Sequence, residues 1–416
     1  MTVLAPSFLF YGLITSAFVF SSLNTKALGL AWLLITGLGL FAGSRQWRTV
    51  HKTSAPSWLH VWLLCTGLAL MFKVGLTAYW SDPWGERHGE LRLFFGALAV
   101  YGLLCVQPLN RKALAHFAHA LSLSSVLGLF WVSGYDRDAL PTHPIPWAGS
   151  LAMVSAFLLA LSLKSDFSVG YRRLWFLGGL FAVMAVLASQ SRGAYAIVFW
   201  WLGVCLHHVF VRPSVLASLK GRTQPTNIFV GSIVLFMALL VFAQTAVFER
   251  ASQSLHDAAQ EISVSQQSTA QGSNSSVGAR IYMWEQSLDA IAESPWIGHG
   301  HDGRRQLLED WADAADSREI KRLGHVHNEF LHQWIDHGLW GLSSQLLYLL
   351  GLVLMVWQLQ RNNLGMAALA VGGIAFVHLT SSMTNVNFAH NYYTASLSLF
   401  VSLSLWLSQL PPKQAA

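Results

Sequence analysis

Charge is what this chain of 416 residues has least of: Asp, Glu, Lys and Arg together make up 11% of it. Soluble domains carry roughly 25%, so a pair of water-soluble domains is excluded. Cysteine is nearly absent too. Cys65, Cys105 and Cys205 all fall inside apolar runs, so no disulfide framework staples an exposed loop, and the three are expected to be packing residues. The N-terminus lacks a basic region ahead of its first apolar run and a small-residue cleavage site, so that run is expected to be a retained helix. There is no internal repeat and no basic cluster. The net charge of +6 is spread over short loops, and nucleic acid is not an expected partner.

What is present is apolar: 53% of residues are hydrophobic and the mean hydropathy is +0.43. A membrane helix needs roughly 20 mostly apolar residues. Such stretches are expected as helices near 6–23, 27–43, 57–80, 92–108, 113–134, 145–163, 172–189, 193–211, 227–247, 338–359, 364–384 and 391–409. The fold class is thus an all-α integral membrane protein with about twelve transmembrane helices. The chain divides into 1–247 (helices 1–9), 248–337 (a large loop) and 338–416 (helices 10–12 and a tail).

Basic residues accumulate on the cytoplasmic side of membrane proteins. The connections after even-numbered helices carry Arg45, Arg48, Lys52, Arg111, Lys112, Lys164, Arg172, Arg173, Arg212, Lys220, Arg222 and Arg361, with Lys413 in the tail. Those after odd-numbered helices carry only Lys26, Arg87, Arg92, Arg137 and Arg192. Both termini are expected to be cytoplasmic and the loop of 248–337 to lie outside.

That loop is the one long connection, and long loops are usually functional or disordered. Ser263–Ser276 is Ser- and Gln-rich and reads as mobile. Ile281, Trp284, Leu288 and Ile291 then recur at helical spacing, with Glu285, Asp289 and Glu293 opposite. A glycine turn, Gly298-His299-Gly300-His301-Asp302-Gly303, precedes a second amphipathic stretch with Leu307, Leu308 and Trp311. A third short helix starts near Asn328, with Phe330, Leu331, Trp334 and Ile335 on its apolar side, and stops at Gly338.

Several residues have the chemistry for a site. Arg192, in Gln190-Ser191-Arg192-Gly193, sits between two apolar runs; an arginine there clamps an anion, snorkels to the interface or joins an ion pair. Arg280 opens a helix, where a cation is unfavourable for the helix itself, so it faces either solvent or an external anion. The glycine turn has backbone N–H groups to offer a phosphate, without the ending of a P-loop. His299, His301, His325 and His327 form two His-x-His pairs, but no accompanying Cys or carboxylate spacing matches a catalytic metal site, and no metal is expected. A histidine such as His327 at a helix entrance either caps the helix or serves as a base near neutral pH. Glu329, Asp336 and His337 are expected to be solvated or interfacial, and Lys73 to pair inside the bundle or snorkel.

The Ser-Arg-Gly turn, the Arg280-x-x-x-Trp284 element, Pro295-Trp296-Ile297-Gly298-His299-Gly300 and the histidine motif, in this order, resemble the O-antigen ligase and polymerase superfamily. Ligases share a His-Asn/Ser/Gln pair, nine residues, then Gly-x-x-Gly; here His327-Asn328 is followed by Gly338-Leu339-Trp340-Gly341. The resemblance implies a GT-C-like bundle with a periplasmic loop of short helices between helices 9 and 10, in the bacterial inner membrane. It implies His327 as catalytic base and Arg192 and Arg280 as ligands of a diphosphate. His325, Asn328, Arg304, Arg305, Lys321 and Arg322 are candidates to stand behind them, without assigned contacts. No cofactor is implied. The partners implied are undecaprenyl-diphosphate-linked O-antigen, lipid A-core and membrane lipid.

The expected activity is therefore that of an O-antigen ligase, an inverting, metal- and ATP-independent transfer to a lipid A-core sugar hydroxyl. An O-antigen polymerase or protein O-oligosaccharyltransferase would use the same donor. A secondary transporter is the alternative of another class, disfavoured by the lack of inverted repeats and paired broken helices.

Overall fold

The computed structural model describes residues 4–50, 56–105, 111–134, 140–164, 166–211 and 277–409, and among these every regular element is helical. The expected ninth helix (227–247), the Ser-rich stretch and the tail with Lys413 lie outside the described residues. The first set of helices is α1 (Leu4–Val19), α2 (Thr25–Val50), α3 (Ser57–Tyr79), α4 (His88–Cys105), α5 (Arg111–Gly134), α6 (Pro144–Ser162), α7 (Val169–Ala188) and α8 (Ile197–Val211). Three shorter ones follow, α9 (Gly278–Glu293), α10 (Gly300–Ala314) and α11 (Arg318–Arg322), and then α12 (Glu329–Arg361), α13 (Gly365–Ser382) and α14 (Asn391–Trp406). Seven of these, α2, α3, α5, α6, α7, α12 and α13, are long and apolar enough to cross a membrane.

Helix α6 forms the centre of the bundle. Pro144 and Pro146 open it where their missing N–H groups cost nothing, and every residue from Trp147 to Ser162 is buried. Helix α14 is buried from Tyr392 to Trp406 and meets α6 through Ser396, which donates to Ser150 Oγ at 2.7 Å. Helices α2 and α4 cross backbone to backbone: a Cβ on Gly102 would lie 1.7 Å from the Gly39 carbonyl oxygen. Such close small-residue crossings let dispersion hold helices together where lipid removes the hydrophobic drive.

One end of the bundle is stitched by hydrogen bonds between turns. Tyr392 donates to the Ser21 carbonyl and Trp147 to that of Ser22, each at 2.8 Å. The short helices α9 to α11 sit over this end, packed on a small core of Met283, Ile291, Leu308, Trp311, Ile320 and Val326. The phase of α9 differs from the expected one. Ala279, Met283, Ser287, Ala290 and Ile291 face inward, so that of the expected stripe Ile291 is buried while Leu288 is 60% exposed. Tyr79, Trp84, Trp296 and Trp340 are exposed around the same end.

Helix α12 is broken at its ninth and tenth residues. His337 leaves helical geometry and Gly338 takes φ +62° and ψ −156°, a conformation that only glycine adopts without strain. The Pro295–Gly300 turn lies on the break: His299 N–H donates to the Ile335 carbonyl and Leu339 N–H to that of Pro295, each at 2.8 Å. Three N–H groups of the glycine turn are thereby committed: Gly298 donates to the Ser294 carbonyl at 3.1 Å, His299 to the break, and His301 to Asp82 at 2.9 Å.

Candidate functional site

The stretch Gly324–Asn328 carries the histidine motif across the mouth of the bundle. Asn328 caps α12, its Oδ1 accepting from Phe330 and Leu331 N–H at 3.0 and 3.2 Å, so the cap is the asparagine and neither histidine. His327 has φ +53°, an outlier for a residue with a Cβ and of the kind that surrounding structure holds at functional sites. Its side chain is buried, and Nδ1 has no hydrogen-bond partner among the described residues.

Trp284 fixes this stretch in place by donating to the Val326 carbonyl, between the two histidines, at 2.8 Å. Arg280 lies one turn earlier on α9, which brings its charge to bear on His327. The Arg280-x-x-x-Trp284 spacing thus places a guanidinium beside an imidazole. Burial foremost, then His325 and Arg280, drive the His327 pKa down to about 2. His325 lies edge-on to His327 with ring centres 4.3 Å apart, and burial followed by His390 takes it down to about 3. His390 stacks on His143 at 5.8 Å and falls to about 4 through burial and that neighbour. All three titrating imidazoles are neutral at physiological pH.

Beneath them the first half of α12 turns a polar face inward. Glu329, Asp336 and His337, expected at a solvated or interfacial position, are fully buried. Glu329 accepts from Gln333 at 3.1 Å and from Phe388 N–H at 3.0 Å. Asp336 accepts from Arg304 at 2.5 Å, and His332 stands 3.5 Å away. His337 Nε2 donates to Asp82 at 2.8 Å. Lys73 pairs inside the bundle, with Nζ 3.2 Å from Gln333 Oε1, and its charge acts on Glu90 and Glu329. Of the expected apolar side, Phe330, Leu331 and Trp334 are only partly buried, while Ile335 is buried. At a membrane the outside is the apolar medium, so the inside–outside sense of an amphipathic pattern reverses.

The predicted site residues thus fall into three groups. Arg280, His325, His327 and Asn328 come together. Arg304 is buried in its pair with Asp336 and donates from Nη1 to the Gly324 carbonyl at 3.1 Å, which supports the histidine stretch from below. Arg305 and Lys321 border a cavity with His325, while the Arg322 guanidinium pairs with Glu319 at 2.8 Å on the surface. Arg192 is exposed in a short 3-10 turn, Arg192–Ala194, at the same end of the bundle as the histidines. No hydrogen bond or ion pair joins it to Arg280 or His327 among the described residues. The two His-x-His pairs do not share a centre: His299 bonds the Ala290 carbonyl at 2.8 Å and His301 faces Asp302 and Glu86. Asp82, His143, His332, Gln333 and His390 were not singled out by the sequence. The 329, 332/333, 336 spacing is the signal that would have found part of this set.

An uncharacterized protein of Haemophilus influenzae is 24% identical over 308 residues, covering 71% of this chain and 74% of that protein. The exopolysaccharide production protein ExoQ of Rhizobium meliloti is 22% identical over 317 residues, covering 73% of this chain and 67% of its own length. Residues 177–346, which hold Arg192, Arg280 and His327, match the model of the O-Antigen ligase family, to which this chain is similar.

Proposed function

We propose that the chain is a membrane glycosyltransferase of the O-antigen ligase kind, moving a glycan from undecaprenyl diphosphate to a sugar hydroxyl of lipid A-core at the periplasmic face. The observation that carries this reading is His327: a buried imidazole on strained backbone with a free ring nitrogen, beside Arg280, within the family-matching stretch.

The residues suggest the order of events. A lipid-linked diphosphate entering beside Arg280 brings negative charge next to His327, which offsets the cation and raises the imidazole's proton affinity. The neutral ring then accepts the proton of the acceptor hydroxyl as that oxygen attacks the anomeric carbon. The bond from the anomeric carbon to the diphosphate oxygen breaks, and direct attack inverts the centre. Arg280, joined by Arg192, stabilises the charge that gathers on the leaving diphosphate. The proton on His327 passes to the departing diphosphate or to water. The orientation of this end toward the periplasm rests on the lysine and arginine bias of the loops.

The test is transfer by the purified protein supplied with lipid-linked O-antigen and lipid A-core, with chelator present and ATP absent. Product with an inverted linkage is expected, and strict dependence on ATP or metal would overturn the reading. The similarity to ExoQ favours a second reading, transfer onto a growing glycan chain. That reading prevails if lipid-linked glycan, and not lipid A-core, is extended.

A further inference from the structure

A cavity of about 610 Å³ opens between α10, α11, the 3-10 turn Trp84–Arg87 and the turn before α14. Lys73, Arg304, Arg305, Lys321, His301 and His332 line it. Three of these, Lys73, Arg304 and His332, are deep within the protein. Lys73 is 1% exposed, and His332 is 4% exposed with an Nδ1 that has no hydrogen-bond partner among the described residues. Two carboxylates, Glu86 and Glu309, also border the space, and Glu86 faces His301 at 3.8 Å.

The cations differ in how far they are already committed. Arg304 gives Nε to Asp336 and Nη1 to Gly324. Lys321 reaches Asp313 at 3.2 Å in a pair whose side chains are 69% and 73% exposed, a contact that water exchanges readily. Arg305 has no hydrogen-bond or ion-pair partner among the described residues. Successive arginines on one wall and lysines on the others outnumber the two carboxylates and make a space rich in charged donors. Phosphate and carboxylate oxygens match that donor set.

The cavity has a defined relation to the candidate base. His325 belongs to its lining and touches His327 ring to ring, whereas neither Arg192 nor Arg280 lines it. A group bound here approaches the histidine pair by way of His325, not by way of Arg280.

The geometry points to this cavity as an acceptor subsite that binds a phosphate group carried by the acceptor saccharide. The inference rests on the transferase reading above for the word acceptor, and on the cavity's own residues for the anion.

The experiment uses the full chain in nanodiscs and two probes, a phosphorylated core oligosaccharide freed of its lipid and the same oligosaccharide after phosphatase treatment. Calorimetric titration should show at least tenfold tighter binding of the phosphorylated probe, weakened by salt. Arg305→Ala combined with Lys321→Ala should abolish the difference, and Arg305→Lys, which keeps the charge, should retain part of it. In transfer assays the double variant should raise KM for a phosphorylated acceptor about tenfold, leaving kcat and donor KM near their original values. Equal affinity for the two probes overturns the subsite. A double variant that raises donor KM instead assigns the cavity to the donor diphosphate and also overturns it. If the phosphorylated probe is preferred but no acceptor is ever glycosylated, the anion site stands and the transferase reading fails.

Discussion

Asp82 and His337, 255 positions apart, pair at 2.8 Å and tie the exit of α3 to the break in α12. The carboxylate also accepts from His301 N–H. Burial raises its pKa, but these hydrogen bonds and the nearby charges of His337 and Lys73 outweigh it and hold the group below the usual aspartate value. Its contribution to stability is therefore complete above about pH 3.9, the ordinary aspartate pKa, and is lost as pH falls through the lower native value. Asp82→Ala removes the acceptor for the buried His337 ring and the partly buried His301 N–H and should cost about 1–3 kcal/mol. Thermal unfolding followed by tryptophan fluorescence measures this; a variant as stable as the parent would show that the pair is ornamental.

The roles proposed for the arginines and the histidine separate kinetically. Arg192→Ala and Arg280→Ala should each lose about 2–4 kcal/mol of transition-state stabilisation, since contacts to the leaving diphosphate strengthen as it gains charge. Lysine at either position should restore part of this, lacking the bidentate fork. His327→Ala should keep donor binding and slow transfer roughly 10²- to 10⁴-fold. His325→Ala removes ring contacts to His327, His332 and His390 but not the proposed base, and should cost less. The assignment of the base fails if His325→Ala abolishes transfer while His327→Ala, at equal expression, does not.

The imidazole cluster predicts acid sensitivity. His325, His327 and His390 have native pKa values of about 3, 2 and 4, while an unfolded histidine titrates near 6.5. Between those values the unfolded chain binds more protons, so stability is full above about pH 6.5 and falls as pH drops below it, by up to about 1.4 kcal/mol per pH unit for each histidine. Melting temperatures across pH 8 to 5 should show this fall, and His325→Asn and His390→Asn should flatten it. A flat parental profile would contradict the neutral, buried cluster.

Lys73 and Glu90 make a fourth case. Both carboxylate oxygens of Glu90 lack a hydrogen-bond partner among the described residues, yet the side chain is 1% exposed and within reach of the Lys73 charge. Lys73→Met leaves a buried carboxylate uncompensated and should destabilise by about 3–5 kcal/mol. Adding Glu90→Gln removes the stranded charge and should recover part of the loss. A double variant less stable than the single one would mean that Glu90 has another partner.

Much of the bundle was legible because a helix in lipid must be continuously apolar over its whole length, and composition alone reports that. Apart from the ninth segment, which lies outside the described residues, each expected apolar segment has a helix at its place. The histidine motif and Arg280-x-x-x-Trp284 were legible because both are local. The buried polar set was not. Lys73, Asp82 and Glu90 meet α12 only through the fold, and nothing in their own neighbourhoods names the partner. Glu329, Asp336 and His337 are hidden for a different reason: their spacing is visible, but the polar side of the segment faces the protein and its apolar side the outside. Leu288 is exposed on the same grounds.

The exposed rings of Tyr79, Trp84, Trp296 and Trp340 set a depth. Such side chains settle at the headgroup level of a bilayer. Trp296 lies against the break at Gly338, and from there to the start of α12 is about 14 Å of helix axis, so the histidine stretch lies within that distance of the ring level. An isoprenoid substrate would arrive sideways without leaving the lipid, while a sugar would come down from above. The chemistry would then take place where two phases meet, which neither reactant has to cross.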